Sequence, residues 1–324
     1  MTSTTKIHLH SQKTAKPFLK WAGGKSQLLT QINHFLPQQL INGKIKKYIE
    51  PFMGGGAVFF HIANNYQVRE FYISDVNKEL VIAYKTIQGY VNDLIELLNN
   101  FEQEYLSLNE NKRKEYFYQV RTQFNFHRDK LDYHKFNSQW LARTAQIIFL
   151  NKTCFNGLFR VNSQGEFNVP VGKYKNPKIC DIQNLQAVSR ILQNVEIRHQ
   201  DFSKWEDLID SQTFIYLDPP YRPLTKTANF TAYSQQIFND DEQIRLRDFF
   251  QRADQKGAFL MLSNSDPKNH NLDDDFFEVA YQGYHIERVK ASRLINRDYL
   301  NRKTINELLI MNYENLEFRM KNLE

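Results

Sequence analysis

Cysteine is scarce in this sequence, with two residues among 324, and this scarcity excludes a disulfide framework. Cys154 and Cys180 form no CxxC pair, and no combination of cysteine and histidine has the spacing of a zinc site. We therefore expect reduced thiols, no metal and a cytoplasmic protein.

Long apolar runs are lacking as well. No stretch approaches the roughly 18 apolar residues that a membrane-spanning helix needs. The chain begins MTSTTKIHLHSQKTAK, which is polar where a secretory signal would be apolar. The sequence also lacks repeats and low-complexity tracts. It predicts a globular chain without a membrane segment, preceded by a flexible leader at residues 1–16, which have no apolar periodicity.

Charge of one sign dominates only weakly. The net charge of +6, from 42 lysines and arginines against 36 acidic residues, permits a polyanionic partner without requiring one. Aromatic residues make up 14% of the chain, which suits base stacking, although most aromatic side chains in any protein lie in the core. Composition therefore leaves the function open, and motifs must decide it.

Strand patterns and helix patterns alternate along much of the chain, with one long interruption. Alternation predicts an α/β fold whose mostly parallel sheet binds ligands at the carboxyl ends of its strands. Residues 78–180 interrupt it with helical patterns and a polar loop, so we expect an inserted second lobe there. A helix is predicted over 240–255. Strands are predicted at residues 47–50, 70–74, 195–199, 214–217, 258–262 and 306–313.

The tetrapeptide Asp218-Pro219-Pro220-Tyr221 directly follows the apolar segment FIYL. The amino group of adenine is a weak nucleophile, because its lone pair is delocalised into the ring. An ionised aspartate and a proline carbonyl only accept hydrogen bonds, so they can hold both N–H bonds and localise that lone pair. Two prolines stiffen the turn, and the tyrosine offers a face to an extruded base. Taken alone, the motif fits a proline-rich turn after a strand equally well.

The segment EPFMGGG at residues 50–56 follows one strand pattern and opens a helix pattern. Its glycines allow a ligand to approach the backbone closely. Asp75 ends the next strand, where carboxylates of nucleotide-binding sheets bind ribose hydroxyls. A nicotinamide fold would need a further glycine where this chain has Phe59. The pattern favours a nucleoside ligand without phosphates, such as S-adenosylmethionine (AdoMet).

The segment FLKWAGGK at residues 18–25, followed by serine, is partly similar to a phosphate-binding loop. It departs from that motif because Leu19 replaces the leading glycine and no apolar strand precedes it. Trp21 and Lys25 flank a tight glycine turn and are suited to an aromatic ligand that carries a carboxylate. A surface turn with a buried tryptophan is the plainer alternative.

Together and in this order, the three motifs resemble the DNA adenine methylase (Dam) family, which transfers a methyl group from AdoMet to N6 of adenine. FLKWAGGK, EPFMGGG and DPPY are similar to its N-terminal AdoMet motif, glycine motif and catalytic motif. NGLFRVN at 156–162 and GEFNVP at 165–170 are similar to its target-recognition hairpin. The similarity continues through 223–233 and 262–266 and covers nearly all of 17–313. The closest resemblance is to methylases that modify GATC, including those of restriction–modification systems.

The resemblance implies a Rossmann-like AdoMet-dependent methyltransferase sheet with an inserted helical target-recognition domain. It assigns residues 17–77 and 181–324 to the catalytic domain and residues 78–180 to DNA target recognition. It implies AdoMet as cofactor and double-stranded DNA as substrate, with no metal and no membrane partner. It leaves open a cognate restriction endonuclease that acts on the same site.

The resemblance also implies roles at the cofactor. Lys25 is expected near the AdoMet carboxylate, Asp75 at the ribose hydroxyls, and Asp201 with Phe202 at the adenine ring. A cap on the following helix is the alternative role of Asp201. The residues expected at the cofactor are Trp21, Ala22, Gly23, Gly24, Lys25, Glu50, Pro51, Phe52, Gly54, Gly56, Asp75, Asp201 and Phe202.

At the DNA, the resemblance implies that Asp218 and the Pro219 carbonyl hold the target amine while Tyr221 stacks on the base. Lys20 and Arg160 are the expected base-contacting cations, although a loop-pinning salt bridge is the alternative for Arg160. The catalytic set is Asp218, Pro219, Pro220 and Tyr221, and the recognition set is Lys20, Phe155, Asn156, Leu158, Arg160, Asn162 and Pro170.

The recognition residues have separate expected roles, some with departures from the family. Phe155 would fill the gap left by the flipped adenine, and Asn156 would bond the orphaned partner. Leu158 and Pro170 would touch the thymine methyl group. Many family members have tyrosine at the position of Phe155, so any role of that hydroxyl is lost here. The basic segment 288–303 is only loosely similar to the family and has no assigned role.

Three alternatives stay open at this point. The first is a methyltransferase for RNA adenine or for cytosine N4, which the combination of DPPY and NGLFR disfavours. The second is a methylase-like DNA-binding module without turnover, which the intact Asp218 and glycine motif disfavour. The third is a nicotinamide oxidoreductase, which Phe59 disfavours.

Overall fold

The computed structural model describes residues 14–21, 23–128, 131–133, 135–222, 238–292 and 304–314. None of the helices in these ranges is long and apolar enough to cross a membrane. The helices are α1 (Leu29–His34), α2 (Gln38–Ile41), α3 (Ala57–Asn65), α4 (Lys78–Ser107), α5 (Glu110–Phe126), α6 (Ser138–Thr153), α7 (Ile182–Leu192), α8 (Asp240–Gln255) and α9 (Phe276–Ala280). The strands are β1 (Lys47–Glu50), β2 (Glu70–Asp75), β3 (Val195–His199), β4 (Thr213–Leu217), β5 (Phe259–Ser265), β6 (His285–Ser292) and β7 (Thr304–Met311).

The seven strands form one sheet in the order β3-β2-β1-β4-β5-β7-β6. The first five strands in this order pair in parallel, and β7 runs antiparallel between β5 and β6. The chain order reverses between β1 and β4, so the loops after these neighbouring strands diverge and open a crevice. The predicted α/β fold with a mostly parallel sheet is confirmed, and its topology places a ligand site at this crevice.

Both faces of the central strands are covered. All five residues of β4 are buried. Phe214 and Tyr216 pack in a cluster that includes residues of α4 and α7, whereas Ile215 and Leu217 pack around Phe249 of α8. Side chains of a strand alternate between faces, which explains this division. Burial on both faces also explains why these strands are continuous apolar runs in the sequence.

Asparagine side chains mark where four helices begin. Asn77, Asn109, Asn137 and Asn239 precede α4, α5, α6 and α8, and each accepts a hydrogen bond from a backbone N–H of the first turn. The 30-residue α4 contains non-helical backbone at Tyr90, with φ −140° and ψ 40°. This break divides α4 into two helical segments.

Helices α4, α5 and α6 lie in the range for which the sequence predicts an inserted lobe. Arg143 of α6 donates to both carboxylate oxygens of Glu79 on α4, at 2.9 and 2.6 Å. Gln88 of α4 donates to the carbonyls of Leu192 and Val195, at 2.6 and 2.9 Å. Helix α4 therefore contacts α6 on one side and α7 and β3 on the other. The division of the chain at residues 78 and 180 remains a proposal.

Most predicted elements are confirmed. The strands at 47–50 and 195–199 and the helix at 240–255 have the predicted bounds. The sequence did not predict β6, which begins at His285 and ends within the basic segment 288–303.

Acidic neighbours explain the charge of β6. Arg288 pairs with Asp266, at 2.9 Å, and with Glu278. The charge of Arg288 is therefore balanced by acidic side chains of the same fold. Residues 293–303 of the basic segment lie outside the described residues.

Candidate active site

Side chains from three separate motifs meet in one cleft at the carboxyl edge of the sheet. The cleft has a volume of about 1780 Å³ and is lined by the ends of β1, β2 and β4 and by the turn around Trp21. One wall comes from a hairpin at residues 154–171, which is closed by bridges between Cys154 and Val171 and between Val161 and Phe167. Typical small-molecule pockets measure about 300–1,000 Å³. The cleft therefore has room for more than one ligand group.

Asp218 joins the first and last motifs. It follows β4, and its Oδ1 lies 2.8 Å from Nζ of Lys25, a lysine that is only 3% exposed. The same Nζ donates to the Gly23 carbonyl at 2.7 Å and lies 4.7 Å from the centroid of the Tyr221 ring. Residues almost 200 positions apart in sequence thus form one cluster.

The Asp218 carboxyl is tuned by its surroundings. Burial raises its pKa to about 6, the Lys25 ammonium opposes part of this rise, and the charge of Glu307 adds to it. The carboxyl is still ionised at neutral pH, the state that accepts hydrogen bonds without donating. Asp218 can therefore hold an amino group at neutral pH and loses this ability as the pH falls through about 6.

Buried amides hold the turn that follows Asp218. Gln243 of α8 donates to the Pro220 carbonyl at 3.1 Å and accepts from the Asn264 amide at 3.1 Å. Asn264, in β5, also accepts from the backbone N–H of Arg222 at 3.3 Å. Both amides are shielded from water, since neither is more than 1% exposed. The turn is fixed on both sides before any ligand binds.

The glycine turn after β1 has no space for side chains. Gly56 has a φ of +71°, and a Cβ there would collide with the Tyr84 hydroxyl. A Cβ on Gly54 would lie 3.1 Å from Trp21. Trp21 itself stacks on Phe159 of the 154–171 hairpin, with ring centroids 4.9 Å apart. The glycines therefore allow the turn, the tryptophan and the hairpin to meet at the cleft.

Asp75 ends β2 and lines the same cleft. Its carboxylate accepts from the backbone N–H groups of Gly54, at 3.0 Å, and Asn77, at 2.8 Å. Burial raises its pKa to about 6, against these backbone donors. Each carboxylate oxygen has a second lone pair, so the carboxylate can also accept from the hydroxyls of a ligand.

Glu50, the last residue of β1, is a buried carboxyl at the cleft. It is 2% exposed, and its Oε2 accepts from the Tyr48 hydroxyl at 2.5 Å. Burial raises its pKa well above the usual range, while the bond from Tyr48 opposes the rise and the charge of Asp218 adds to it. A cation beside such a group favours its ionised form. Glu50 is therefore suited to a ligand ammonium group.

Asp201 and Phe202 lie after β3, where Arg245 of α8 covers them. Both carboxylate oxygens of Asp201 accept from Arg245 at 2.8 Å, and Oδ1 also caps the next helix through the Ser203 N–H. Burial opposes the shift, yet these hydrogen bonds lower the pKa of Asp201 to about 2. The ring of Phe202 lies 4.1 Å from the guanidinium and 5.5 Å from the Phe52 ring. The capping role considered for Asp201 is present, and its role at the cofactor stays a prediction.

Lys20 lies against the 154–171 hairpin. Asn151 of α6 accepts from the Lys20 N–H and donates to the Lys20 carbonyl, both at 2.8 Å, and also donates to the Gly157 carbonyl at 2.9 Å. A Cβ on Gly157 would lie 2.6 Å from Cδ of Lys20. The two segments to which the resemblance assigns base contacts are therefore joined through one buried amide.

Two predicted recognition residues make bonds within the hairpin. The exposed Arg160 donates through Nε to the Asn168 side chain at 2.8 Å, a neutral partner in place of the salt bridge considered above. Asn162 accepts from the backbone N–H groups of Gln164 and Glu166, at 3.0 and 2.9 Å. Asn162 therefore shapes the turn, and contacts of either residue with DNA remain predictions.

The start of the hairpin presents an aromatic ring to solvent. Phe155 is 51% exposed, and its N–H donates to the Pro170 carbonyl at 2.8 Å. Asn156 has a φ of 56°, which is uncommon for a residue other than glycine. Leu158 is half-buried next to them. Backbone bonds thus fix this corner while the Phe155 ring stays accessible.

Ala22, which was expected at the cofactor, lies outside the described residues.

Some site residues were not predicted from the sequence. Gln243 and Arg245 lie on an ordinary amphipathic helix, where no sequence signal distinguishes them from surface residues. Glu307 had a signal, because it is the single charged residue of β7, TINELLIM. Its carboxylate accepts from the Tyr221 hydroxyl at 2.5 Å.

Comparison with known families decides the class of this site. A family model described as D12 class N6 adenine-specific DNA methyltransferase matches residues 21–295. The chain belongs to this family. The predicted family is confirmed, as is the fold class of an AdoMet-dependent methyltransferase sheet. Membership decides against a nicotinamide oxidoreductase and against cytosine N4 as the target.

Named relatives match along nearly their full length. The chain is 52% identical over 299 residues to the Type II methyltransferase M.MjaIII of Methanocaldococcus jannaschii, covering 92% of this chain and 99% of that protein. It is 37% identical to the Type II methyltransferase M1.LlaDCHI of Lactococcus lactis, covering 93% and 96%. It is 31% identical to the DNA adenine methylase of Vibrio cholerae, covering 92% and 96%.

Proposed function

We propose that this N6 adenine DNA methyltransferase uses AdoMet as methyl donor, acts within GATC in double-stranded DNA, and turns the target adenine out of the duplex. The observation that carries the proposal is the meeting of Asp218, Lys25 and the glycine turn in one cleft. Adenine as the substrate base follows from the family.

The cleft suits the chemistry of AdoMet. Asp75 offers carboxylate oxygens to a ribose diol, and Glu50 offers a buried carboxyl to an ammonium group. Lys25 offers its ammonium to a ligand carboxylate, and the rings of Phe52 and Phe202 offer an apolar surface to a purine. When bound, AdoMet supplies an electrophilic methyl group.

The chain's own residues then act on the target amine. Asp218 accepts one N–H of the amine and the Pro219 carbonyl accepts the other, so the nitrogen lone pair is directed out of the base plane. Tyr221 stacks on the extruded base. The amine nitrogen would form a bond to the methyl carbon as the sulfur–methyl bond breaks, which leaves a neutral thioether and releases one proton from the amine. No covalent bond between enzyme and base is therefore needed. Catalysis consists mainly of positioning and hydrogen bonding.

Base recognition is assigned to the 154–171 hairpin and the neighbouring Lys20. Arg160 and Lys20 supply exposed cations, of which arginine forms the commonest specific contact, a bidentate pair with guanine. The exposed Phe155 ring is suited to filling the gap left by an extruded adenine. Leu158 and Pro170 would contact the thymine methyl group.

The test is methyl transfer from AdoMet to short duplexes that contain GATC or a one-base variant, followed by mass analysis of the nucleosides. We expect N6-methyladenine with GATC only. The same modification on another sequence would keep the chemistry and overturn the recognition roles. AdoMet binding without any methylated base would support a binding module, and transfer to competing RNA would support an RNA substrate.

The names of two relatives support a further part of the proposal. Both are designated Type II methyltransferases, and we propose that a cognate restriction endonuclease acts on the same site as this chain. DNA methylated by the purified protein should then resist cleavage by an endonuclease specific for unmethylated GATC. Complete cleavage of the methylated DNA would contradict this proposal.

A further inference from the structure

Strand β7 places the carboxylate of Glu307 at the carboxyl edge of the sheet, where the cleft lies. Glu307 is paired in register with Ser265, the last residue of β5, so it lies at the same edge as the turn that follows β4. Side chains alternate along a strand, and Leu309, two positions on, packs in the hydrophobic cluster that contains Leu28 and against which Leu29 packs. Glu307 therefore points to the side of the sheet from which Lys25 enters.

The contacts of Glu307 are with site residues. Its Oε2 accepts from the Tyr221 hydroxyl at 2.5 Å and lies 3.9 Å from Nζ of Lys25. A carboxylate that is only 15% exposed costs stability unless it is paired. Here both partners belong to the cleft, so the pairing orders the site at the cost of burying a charge.

The phenol of Tyr221 is held in its donating form. Burial raises the pKa of this hydroxyl well above its usual range, and the charges of Asp218 and Glu307 raise it further. The hydroxyl therefore stays protonated and donates a hydrogen bond to Glu307. Fixing the phenol oxygen restricts rotation about the Cα–Cβ bond of Tyr221. Because a phenolic O–H lies in the plane of its ring, a fixed acceptor also restricts rotation about the Cβ–Cγ bond, and the hydrogen bond to Glu307 therefore restricts the plane of the ring.

We propose that Glu307 is a positioning residue for methyl transfer: it anchors the Tyr221 hydroxyl and thereby sets the ring plane against which the target adenine stacks. Through Lys25 it also completes a chain of charges that ends at Asp218, in which one ammonium lies between two carboxylates. The inference rests on the proposed function, because it needs an adenine held between Asp218 and Tyr221.

The experiment compares Glu307→Ala, Glu307→Gln and Tyr221→Phe with the wild type. Single-turnover methylation of a GATC duplex gives the rate, AdoMet titration gives the cofactor affinity, and 2-aminopurine at the target position reports base extrusion by fluorescence. We expect Glu307→Ala and Tyr221→Phe each to lower the rate by about tenfold or more, with AdoMet affinity changed by less than about twofold. Glu307→Gln should recover most of the rate, because an amide oxygen still accepts from the phenol.

The double variant separates positioning from general damage. If Glu307 acts through Tyr221, Glu307→Ala combined with Tyr221→Phe should be no slower than the slower single variant. Rates that multiply, an unchanged rate in Tyr221→Phe, or a glutamine variant as slow as the alanine variant would each overturn the inference. The result for Tyr221→Phe stands even if the alanine variant fails to fold.

The same assay distinguishes a failure of the role proposed for Glu307 from a failure of the proposed function. A wild type that methylates adenine while the variants behave like it removes only the role of Glu307. A wild type that binds AdoMet and DNA without methylating adenine removes the proposed function, and the role of Glu307 with it. In 2-aminopurine duplexes, we expect extrusion fluorescence in Glu307→Ala to be lower than in the wild type, and an equal signal would contradict the proposed stacking.

Discussion

The cleft and the 154–171 hairpin lie side by side, yet they hold their functional groups in different ways. In the cleft, charged side chains are buried and fix one another, as in the pair of Lys25 and Asp218. In the hairpin, backbone bonds fix the loop while Phe155 and Arg160 are exposed. Under the proposed function, the catalytic groups are fixed before the substrate binds, whereas the groups proposed to contact bases remain exposed. Variants in the cleft should therefore change rate, and variants in the hairpin should change sequence preference.

The largest effect is expected for Asp218→Ala. Loss of the acceptor should lower methyl transfer by about 100-fold or more, because the amine lone pair is no longer held. AdoMet binding, measured by calorimetry, should be largely retained. The matched control is Asp207→Ala, an exposed aspartate outside the cleft, which should transfer methyl at the wild-type rate. Lost cofactor binding with unchanged turnover per bound cofactor would show that Asp218 belongs to the cofactor site.

The hairpin should respond differently. Arg160→Ala should relax discrimination at one base position by about 1–3 kcal/mol, with the rate on the best sequence less affected. Rates on the four variants of each base position measure this. Arg190→Ala, an exposed arginine on α7, is the control and should leave the profile unchanged. An equal loss on every sequence would assign Arg160 to the phosphate backbone.

Protonation of Asp218 at low pH should lower the methylation rate less than removal of its side chain does. Because the Asp218 pKa is raised to about 6, the acceptor is ionised above that pH and lost below it. At saturating AdoMet, the single-turnover rate should fall about tenfold per pH unit below about pH 6. Asp75 has a similar pKa, so cofactor affinity must be measured at each pH. A rate that stays level from pH 5 to 8 would contradict the role given to Asp218.

The smallest effect is expected at Asn156, whose backbone has a positive φ. Glycine adopts this conformation without cost and alanine does not. If only the backbone matters, Asn156→Gly should bind GATC duplexes like the wild type, while Asn156→Ala should bind more weakly. If the side chain contacts the orphaned base, both variants should lose affinity alike, by about 1 kcal/mol, the usual contribution of one hydrogen bond. Titration of labelled duplex measures the difference.

Much of the fold follows from local sequence. β3 and α8 have their predicted bounds because each has a clear apolar periodicity. β1 has its predicted bounds although its four residues, KYIE, are too few to show one. β6 was missed because it carries charges. The ion pairs of Arg288 with Asp266 and Glu278 show how one of these charges is accommodated. Such pairs join distant segments, so no local pattern predicts them.

In the site, too, local sequence predicts some features, and others depend on tertiary contacts. Motifs predicted Lys25 and Asp218 as functional, since each lies in a distinctive run of residues. Their direct contact was not predicted, because it depends on packing between segments almost 200 residues apart. No sequence pattern predicted a role for Arg245, yet it donates hydrogen bonds to both carboxylate oxygens of Asp201. Partner choice among charged residues is a property of tertiary structure, and sequence motifs do not encode it.

The most direct test is to map every methylated base that the wild type and Arg160→Ala introduce into long unmethylated DNA. The account predicts that wild-type marks are N6-methyladenine confined to GATC, and that Arg160→Ala marks spread to sequences differing at one base while remaining on adenine. Marks on cytosine, or wild-type marks on adenines without a common sequence, would contradict the separation of a fixed catalytic cleft from a base-recognising hairpin.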